Sequence, residues 1–251
     1  MRADPKQRLD QILVARALAP SRERARALIL AGKVRVAGQV LSKAGAIVAI
    51  DADVAIDEPD HPYVGRGGLK LAHALDTFAI DPAGREVLDI GASTGGFTDV
   101  CLQRGAAHVA ALDVGHNQLD WTLRTDARVT VLERVNARAL TPDQLPAAHR
   151  RFGLVTIDVS FISLRHILPV VPPLLEPGAE LVALVKPQFE AGRRDVPSGG
   201  IVRDAGVHAR VVEEVAEAAA AIGFERRGLT PSPITGAEGN QEFLMWLKLK
   251  P

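Results

Sequence analysis

The chain has 251 residues, enough for one large domain or two, and its 47% hydrophobic and 24% charged content is that of an ordinary soluble globular protein. A single cysteine, Cys101, excludes an intrachain disulfide and an all-cysteine metal site and suits a reducing cytoplasm, while the start MRADPKQRLD has no apolar signal core and no later run approaches the ~20 apolar residues of a membrane span. The net charge is zero, but residues 1–45 hold ten Lys and Arg against three acids and the other 206 residues hold 20 against 27, so a basic end of +7 precedes an acidic remainder of −7, an asymmetry that points to a nucleic acid or another acidic surface.

Leu9, Ile12, Leu13 and Ala17 recur at helical spacing, which predicts a short amphipathic helix over Arg8 to Leu18. Pro20 breaks it, Ser21 caps a second helix with the apolar stripe Ala25, Leu28 and Ile29, and Gly32 ends that helix; Arg22 and Arg26 share its other face. Lys33-Val-Arg35-Val then alternates basic and apolar, Ala37-Gly38 supplies a turn and Val40 resumes, a hairpin pattern. Arg22, Arg26, Lys33, Arg35 and Lys43 are thereby placed to share one surface. The stretch SRERARALILAGKVRVAGQVLSKAG resembles the alpha-L, or S4-type, RNA-binding module, with Ala37 where that family often has Asn before the glycine. The resemblance implies a small α+β RNA-binding domain over residues 1–56 that reads RNA shape through phosphate contacts. Residues 57–63, DEPDHPY, carry two prolines and three acids and form the expected linker.

From Val64 onward strands and helices alternate through a second domain, residues 64–251. Strands are predicted at Glu86–Ile90, His108–Asp113, Val129–Val135, Gly153–Asp158, Glu180–Val185, Phe224–Leu229 and Glu242–Lys248, and helices at Leu69–Phe78, Phe97–Arg104, Ser163–Leu175 and Asp204–Ile222. This alternation means a doubly wound, mostly parallel α/β sheet with helices on both faces. The last strand follows a chain return after the long helix and is free to run antiparallel.

The loop after the first of these strands, DIGASTGGFTD, fits two machines. As G-x-S-x-G, Gly91-Ala-Ser93-Thr-Gly95 spells a nucleophile elbow, and Ser93, Asp158 and His208 follow the chain order of an α/β-hydrolase triad. As a glycine-rich turn it instead lets backbone approach a nucleoside cofactor. The second reading is favoured. Gly65-Arg-Gly-Gly is a poor oxyanion motif and His208 falls inside a helix. Asp113 closes the next strand 22 residues after Gly91, where a carboxylate holds ribose hydroxyls, and Asn136 flanks an adenine position. Ser93 stands where a nicotinamide fingerprint needs its second glycine, so a cofactor without a pyrophosphate, S-adenosylmethionine, is expected on Asp89, Gly91, Ser93, Gly95, Gly96, Phe97, Asp113, Asn136 and Asp158.

Four polar residues fall at strand ends or on the first helix. Lys70 follows Gly65-Arg66-Gly67-Gly68, Asp158 ends LVTIDVSF, Lys186 ends ELVALVKPQF and Glu242 opens the last strand. Strand ends on one sheet edge converge, so two lysines and two carboxylates are expected around one site. The plain alternative is a buried Lys186–Glu242 ion pair with Asp158 capping a turn. The blocks YVGRGGLKL, DIGASTGGFTD, LDVGHNQLDW, VTIDVSFISL, LVKPQFEAG and GNQEFLMWLKL resemble the TlyA family, known as ribosomal RNA 2′-O-methyltransferases and as haemolysins, over nearly the whole chain. Gly65 replaces a frequent Ser, and Asp60-His-Pro-Tyr63 departs from the family's linker block.

The resemblance implies a seven-stranded FtsJ-like methyltransferase sheet, methylation of a ribose, with cytidine the expected nucleoside, in ribosomal RNA or ribosomal subunits, and Lys70, Asp158, Lys186 and Glu242 as catalytic residues. A ribose hydroxyl is a weak nucleophile whose proton must be accepted while oxygen, methyl carbon and sulfur align. A desolvated lysine beside a second cation suits that task, which makes Lys186 the expected base, Lys70 the neighbouring cation, Asp158 the orienting carboxylate near the sulfonium and Glu242 a group that positions the lysines. Asp158-Val-Ser-Phe161 lacks the Asn/Asp-Pro-Pro-aromatic pattern of exocyclic-amine methylation, which favours an oxygen acceptor. The long polar segment 188–203, with Arg193 and Arg194, is an expected RNA contact together with Arg66. The competing reading is a non-catalytic RNA-binding or haemolysin-type protein. Target nucleotide, ribosomal subunit and oligomeric state are left open.

Overall fold

The structure, a computed structural model, describes residues 5–19, 21–30, 32–56, 61–192, 194–236 and 238–250. The chain divides into two compact units, residues 1–62 and 63–251. Most of the linker block expected at 57–63, residues 57–60, lies outside the described residues.

In the first unit, β1 (Lys6–Arg8) leads into α1 (Leu9–Ala15) and α2 (Arg22–Leu30), followed by β2 (Val34–Val36), β3 (Gln39–Val40), β4 (Ile47–Ala49) and β5 (Val54–Ile56). β1 pairs antiparallel with β4, and β2 lies between β3 and β5. The helices follow the apolar periodicity: Leu9, Leu13, Ala25, Ile29 and Val34 form the buried cluster. Ser21 Oγ accepts from the Arg24 N–H at 3.2 Å and starts α2. Ala37 (φ 49°) and Gly38 (φ 78°) make the two-residue turn that sets Val36 opposite Gln39, with an alanine held left-handed where asparagine is the usual choice. Asp10, in the first turn of α1, is fully buried and accepts two bonds from Arg8 at 2.9 Å and one from Arg22 at 3.2 Å. The Arg8 hydrogen bonds hold its carboxyl down at about 2 against the cost of burial.

The second unit carries α3 (Gly67–Phe78), β6 (Glu86–Ile90), α4 (Gly96–Gln103), β7 (His108–Asp113), α5 (Trp121–Arg124), β8 (Val129–Glu133), β9 (Phe152–Ile157), β10 (Leu175–Val185), α6 (Pro187–Glu190), α7 (Ala205–Ala221), β11 (Phe224–Pro231) and β12 (Phe243–Leu249). Its sheet runs β11-β12-β10-β9-β6-β7-β8, parallel except for β12, which is antiparallel to both β10 and β11. Strand order reverses between β6 and β9, so the loops after those two strands open a crevice at the carboxyl edge. Alternate residues feed two cores. Leu88, Ile90, Ala110 and Leu112 pack with α7 on one face, while Val87, Val109, Ala111 and Leu154 pack with α3 and α4 on the other. Burial of the valine, leucine and isoleucine side chains among these contributes about 1.5–3 kcal/mol each.

One predicted element differs. The helix expected over Ser163–Leu175 is three successive 3₁₀ turns, Leu164–His166, Leu168–Val170 and Pro172–Leu174. Its apolar periodicity is real, and Leu164, Ile167, Leu168, Val171 and Leu174 are all in the core. Pro169, Pro172 and Pro173 lack the N–H that an α-helix needs and clash with the preceding turn, so the backbone tightens instead.

Candidate active site

The glycine loop is shaped by close approaches. Gly91 has φ 87°, and a Cβ there would lie 2.3 Å from the Asp158 carbonyl oxygen; at Gly95, φ 97°, it would lie 2.2 Å from Leu123 Cδ1. Only glycine fits either position. Asp113 then fixes the turn, because its Oδ2 accepts from the Ser93 N–H at 2.8 Å and its Oδ1 from the Gly115 N–H at 2.6 Å. Ser93 is itself left-handed (φ 49°), with its hydroxyl directed to Gln118 Oε1 at 3.3 Å.

Asp89, expected at the cofactor, lies behind the loop and is fully buried. Thr98 Oγ1 donates to one of its oxygens at 2.6 Å and Thr156 Oγ1 to the other at 2.9 Å, tying β6 to α4 and β9. Burial pushes its carboxyl up to about 6; the two hydroxyls oppose that shift and the charge of Asp158 adds to it. Its place as the penultimate residue of an inward-facing strand explains the difference, since the crevice begins only at Gly91.

Two cavities meet at this loop. One of 460 Å³ is lined by Asp113, Val114, Gln118, Asn136, Phe161 and Ile162 among others; one of 220 Å³ is lined by Arg66, Lys70, Thr94, Gly96, Phe97 and Thr235 among others; Gly91, Ser93 and Asp158 line both. The larger has the size of a small-molecule site, with an apolar wall and a few convergent polar groups. Asn136 stands at its edge, its side-chain oxygen accepting from the Arg138 N–H at 3.1 Å. The residues therefore fit S-adenosylmethionine. The Gly91 cradle closes against a Cβ, and each Asp113 oxygen keeps a lone pair for a hydroxyl. Asp158 Oδ1 is buried without a hydrogen-bond donor in line.

The four strand-end groups form two ion pairs. Lys186 Nζ, one residue past β10, lies 2.6 Å from Asp158 Oδ1, one residue past β9, and donates to Ser160 Oγ at 3.0 Å. Lys70 Nζ, on the inner face of α3, donates to Glu242 Oε2 at 2.5 Å just before β12. Parallel pairing of β9 with β10 brings the first two together, and packing of α3 on β12 brings the second two. Lys186 thus pairs with Asp158 rather than with Glu242, and Glu242 meets Lys70 alone among the described lysines. Ser93, Asp158 and His208 do not form a triad. His208 Nε2 bonds the Val202 carbonyl at 2.8 Å and its ring stands edge-on to Phe243, while Ser93 bonds Gln118.

Of the expected RNA contacts, Arg26, Lys43, Arg66 and Arg194 are exposed, Lys33 is half-buried, and Arg193 lies outside the described residues. Arg35 is exposed and donates to the Gly38 carbonyl at 3.3 Å, and Arg22 is held to Asp10 at its exposed end. Arg66 sits one turn before Lys70 and lines the smaller cavity. Phe161 was not among the expected site residues. It is 91% exposed in a left-handed backbone (φ 64°), 5.1 Å from the Phe189 ring, with Lys186 Nζ 5.9 Å from that second ring. A bulky residue with positive φ and no burial is uncommon, but only the backbone reveals it.

The chain is similar to known proteins along its whole length. The FtsJ-like methyltransferase family model matches residues 63–249 and the S4 domain model residues 7–54. The 16S/23S rRNA (cytidine-2'-O)-methyltransferase TlyA of Mycobacterium tuberculosis is 48% identical over 96% of this chain and 89% of its own, and Hemolysin A of Brachyspira hyodysenteriae 41% identical over 94% and 98%. A solved structure of a Streptococcus thermophilus protein superposes with a TM-score of 0.76 at 43% identity, over 99% of this chain and 90% of that one. With the glycine loop, the strand-end lysines and the amino-terminal unit in place, the chain belongs to the FtsJ-like methyltransferase family and carries an S4 domain at its amino terminus.

Proposed function

We propose that the protein methylates the 2′-hydroxyl of a cytidine ribose in ribosomal RNA, with S-adenosylmethionine as donor and the S4 unit as an RNA anchor. The observation that carries this reading is Asp158, which lines both cavities and is paired with Lys186. When bound, the cofactor supplies an electrophilic methyl group. Asp113 takes the ribose hydroxyls, Asn136 flanks the base, and Gly91 to Phe97 give backbone contact. In the smaller cavity Arg66 and Lys70 hold the phosphate and sugar of the acceptor nucleotide. Lys186, as the neutral amine, accepts the proton of the 2′-hydroxyl, Asp158 orients it and stabilises the ammonium that results, and Glu242 fixes Lys70. Both lysines are largely removed from water, which strengthens each of these interactions.

Exposed Arg26, Arg35 and Lys43, with Lys33 and Arg22, supply phosphate contacts on the S4 unit, and Arg194 adds one in the second unit. The named substrate of the TlyA relative supports ribosomal RNA or a ribosomal subunit as partner, and a cytoplasmic site of action accords with it. No helix of the described residues is long and apolar enough to cross a membrane. Unmodified ribosomal RNA incubated with methyl-labelled cofactor is expected to yield labelled 2′-O-methylcytidine on digestion. Label found only on a base overturns the ribose assignment.

A further inference from the structure

Glu86 and His108 are register partners at the amino ends of β6 and β7, on the sheet edge opposite the two cavities. His149, from the segment leading into β9, lies over them. Its Nδ1 is 2.8 Å from Glu86 Oε2, and His108 Nδ1 is 3.1 Å from the same oxygen. The imidazoles stack with centroids 3.6 Å apart and planes 8° from parallel, so their Nδ1 atoms and the carboxylate oxygen lie within 4.8 Å of one another.

The His108 side chain is 7% exposed and its Nδ1 has no hydrogen-bond partner. Its Nε2 bonds Thr130 Oγ1 at 2.9 Å. With Nε2–H donating to that hydroxyl, the Nδ1 lone pair faces the Glu86 oxygen and calls for a positive centre between them.

We propose that Glu86, His108 and His149 bind one divalent transition metal of the zinc class. Two imidazoles and one carboxylate suit Zn²⁺ or Co²⁺ rather than Mg²⁺ or Ca²⁺, which prefer all-oxygen sites. Tetrahedral ligands about 2.0–2.1 Å from a Zn²⁺ ion stand about 3.3 Å apart, close to the carboxylate–imidazole distances, and because an imidazole binds in its ring plane the His149 ring turns out of the parallel stack to direct its Nδ1 lone pair at the ion. The partly exposed Glu86 side leaves the fourth position to water. Thr130 fixes the His108 ring from behind. Bound there, the metal clamps the segment before β9 to the base of the sheet, away from the methyl-transfer site.

Calorimetric titration of the tag-free full chain with Zn²⁺, beside Glu86→Gln and His149→Ala, tests this. One tight equivalent is expected for the native chain and is lost in both variants. Zn²⁺ should raise the melting temperature of the native chain alone. His149 comes from a partly exposed segment, so its removal leaves the core intact, and thermal unfolding without metal checks that. Thr130→Val, which removes the ring's support, should weaken Zn²⁺ binding about 10- to 100-fold. A native chain that binds no Zn²⁺, or that binds it with the same stoichiometry and affinity as either ligand variant, overturns the site.

Discussion

Lys70–Glu242 and Lys186–Asp158 join like groups at 2.5 and 2.6 Å, but the carboxylate of the first pair is enclosed and that of the second is open. The Glu242 side chain is 3% exposed and shares an aligned hydrogen bond with Lys70; a Cβ at Gly236 would lie 2.6 Å from its other oxygen, so the turn before β12 wraps it. The Asp158 side chain is 21% exposed and faces both cavities, and the Lys186 hydrogen bond goes to Ser160 instead. An enclosed carboxylate with a complete, aligned hydrogen bond holds its elements together while its lysine lines the smaller cavity, whereas a carboxylate with an unused lone pair beside both cavities is available to a reacting group.

The sharpest way to break this contrast is to remove the lysine beside the open carboxylate. Lys186→Ala should lower single-turnover methyl transfer about 10³- to 10⁴-fold, within the range that a positioned proton acceptor supplies, while calorimetric cofactor affinity stays nearly unchanged. Full rate in that variant removes Lys186 from the chemistry. Glu242→Ala addresses the closed pair, and its effect should appear first in stability. Lys70 would be left buried without its partner, at a cost of about 3–5 kcal/mol in urea unfolding. The double change Lys70→Met with Glu242→Leu should recover most of that loss, because a dry apolar pair needs no compensation; if Glu242→Ala unfolds at the native urea midpoint, the closed pair is no clamp.

Asp89 sharpens the comparison from below, as a buried carboxylate that no lysine partners. Its folded value of about 6 exceeds the ordinary 3.8, so between those values the native state holds a proton that the unfolded chain has released. Stability from this group is therefore greatest below about pH 4 and is lost as pH rises through 6, a swing of about 3 kcal/mol for a two-unit shift. Asp89→Asn keeps partners for Thr98 and Thr156 and should flatten the pH dependence of unfolding across that window. An unchanged slope would assign it to other groups.

The fold was legible where the pattern was local. Strands that end in a polar residue after an apolar run, the glycines before Phe97 and the basic stripe of α2 could be placed from spacing alone. Which lysine meets which carboxylate could not. Lys70 and Glu242 are 172 residues apart, and their contact depends on how α3 seats on an antiparallel last strand. Nor does one residue type reveal whether an aspartate at a strand end lines a crevice, as Asp158 does, or sits behind it, as Asp89 does. That difference is two residues of register, since Asp89 is level with Thr156 and Asp158 with Gly91. Apolar periodicity located the core positions of 163–175, but the three prolines decided its backbone.

The smallest expected effect lies outside both pairs and serves as their control. Ala37 occupies the first position of the β2–β3 turn at φ 49°, where an L-residue without a polar side chain costs about 1–2 kcal/mol. Asparagine tolerates this conformation far better, and Asn-Gly is the preferred sequence for such a two-residue turn. Both residues of the turn are exposed, so Ala37→Asn should stabilise the amino-terminal unit by about 1 kcal/mol in urea unfolding and leave single-turnover methyl transfer unchanged. A gain there with a constant rate would show that turn strain and the chemistry of the lysine pairs are energetically separate. A fall in rate would mean instead that the turn itself contacts the RNA.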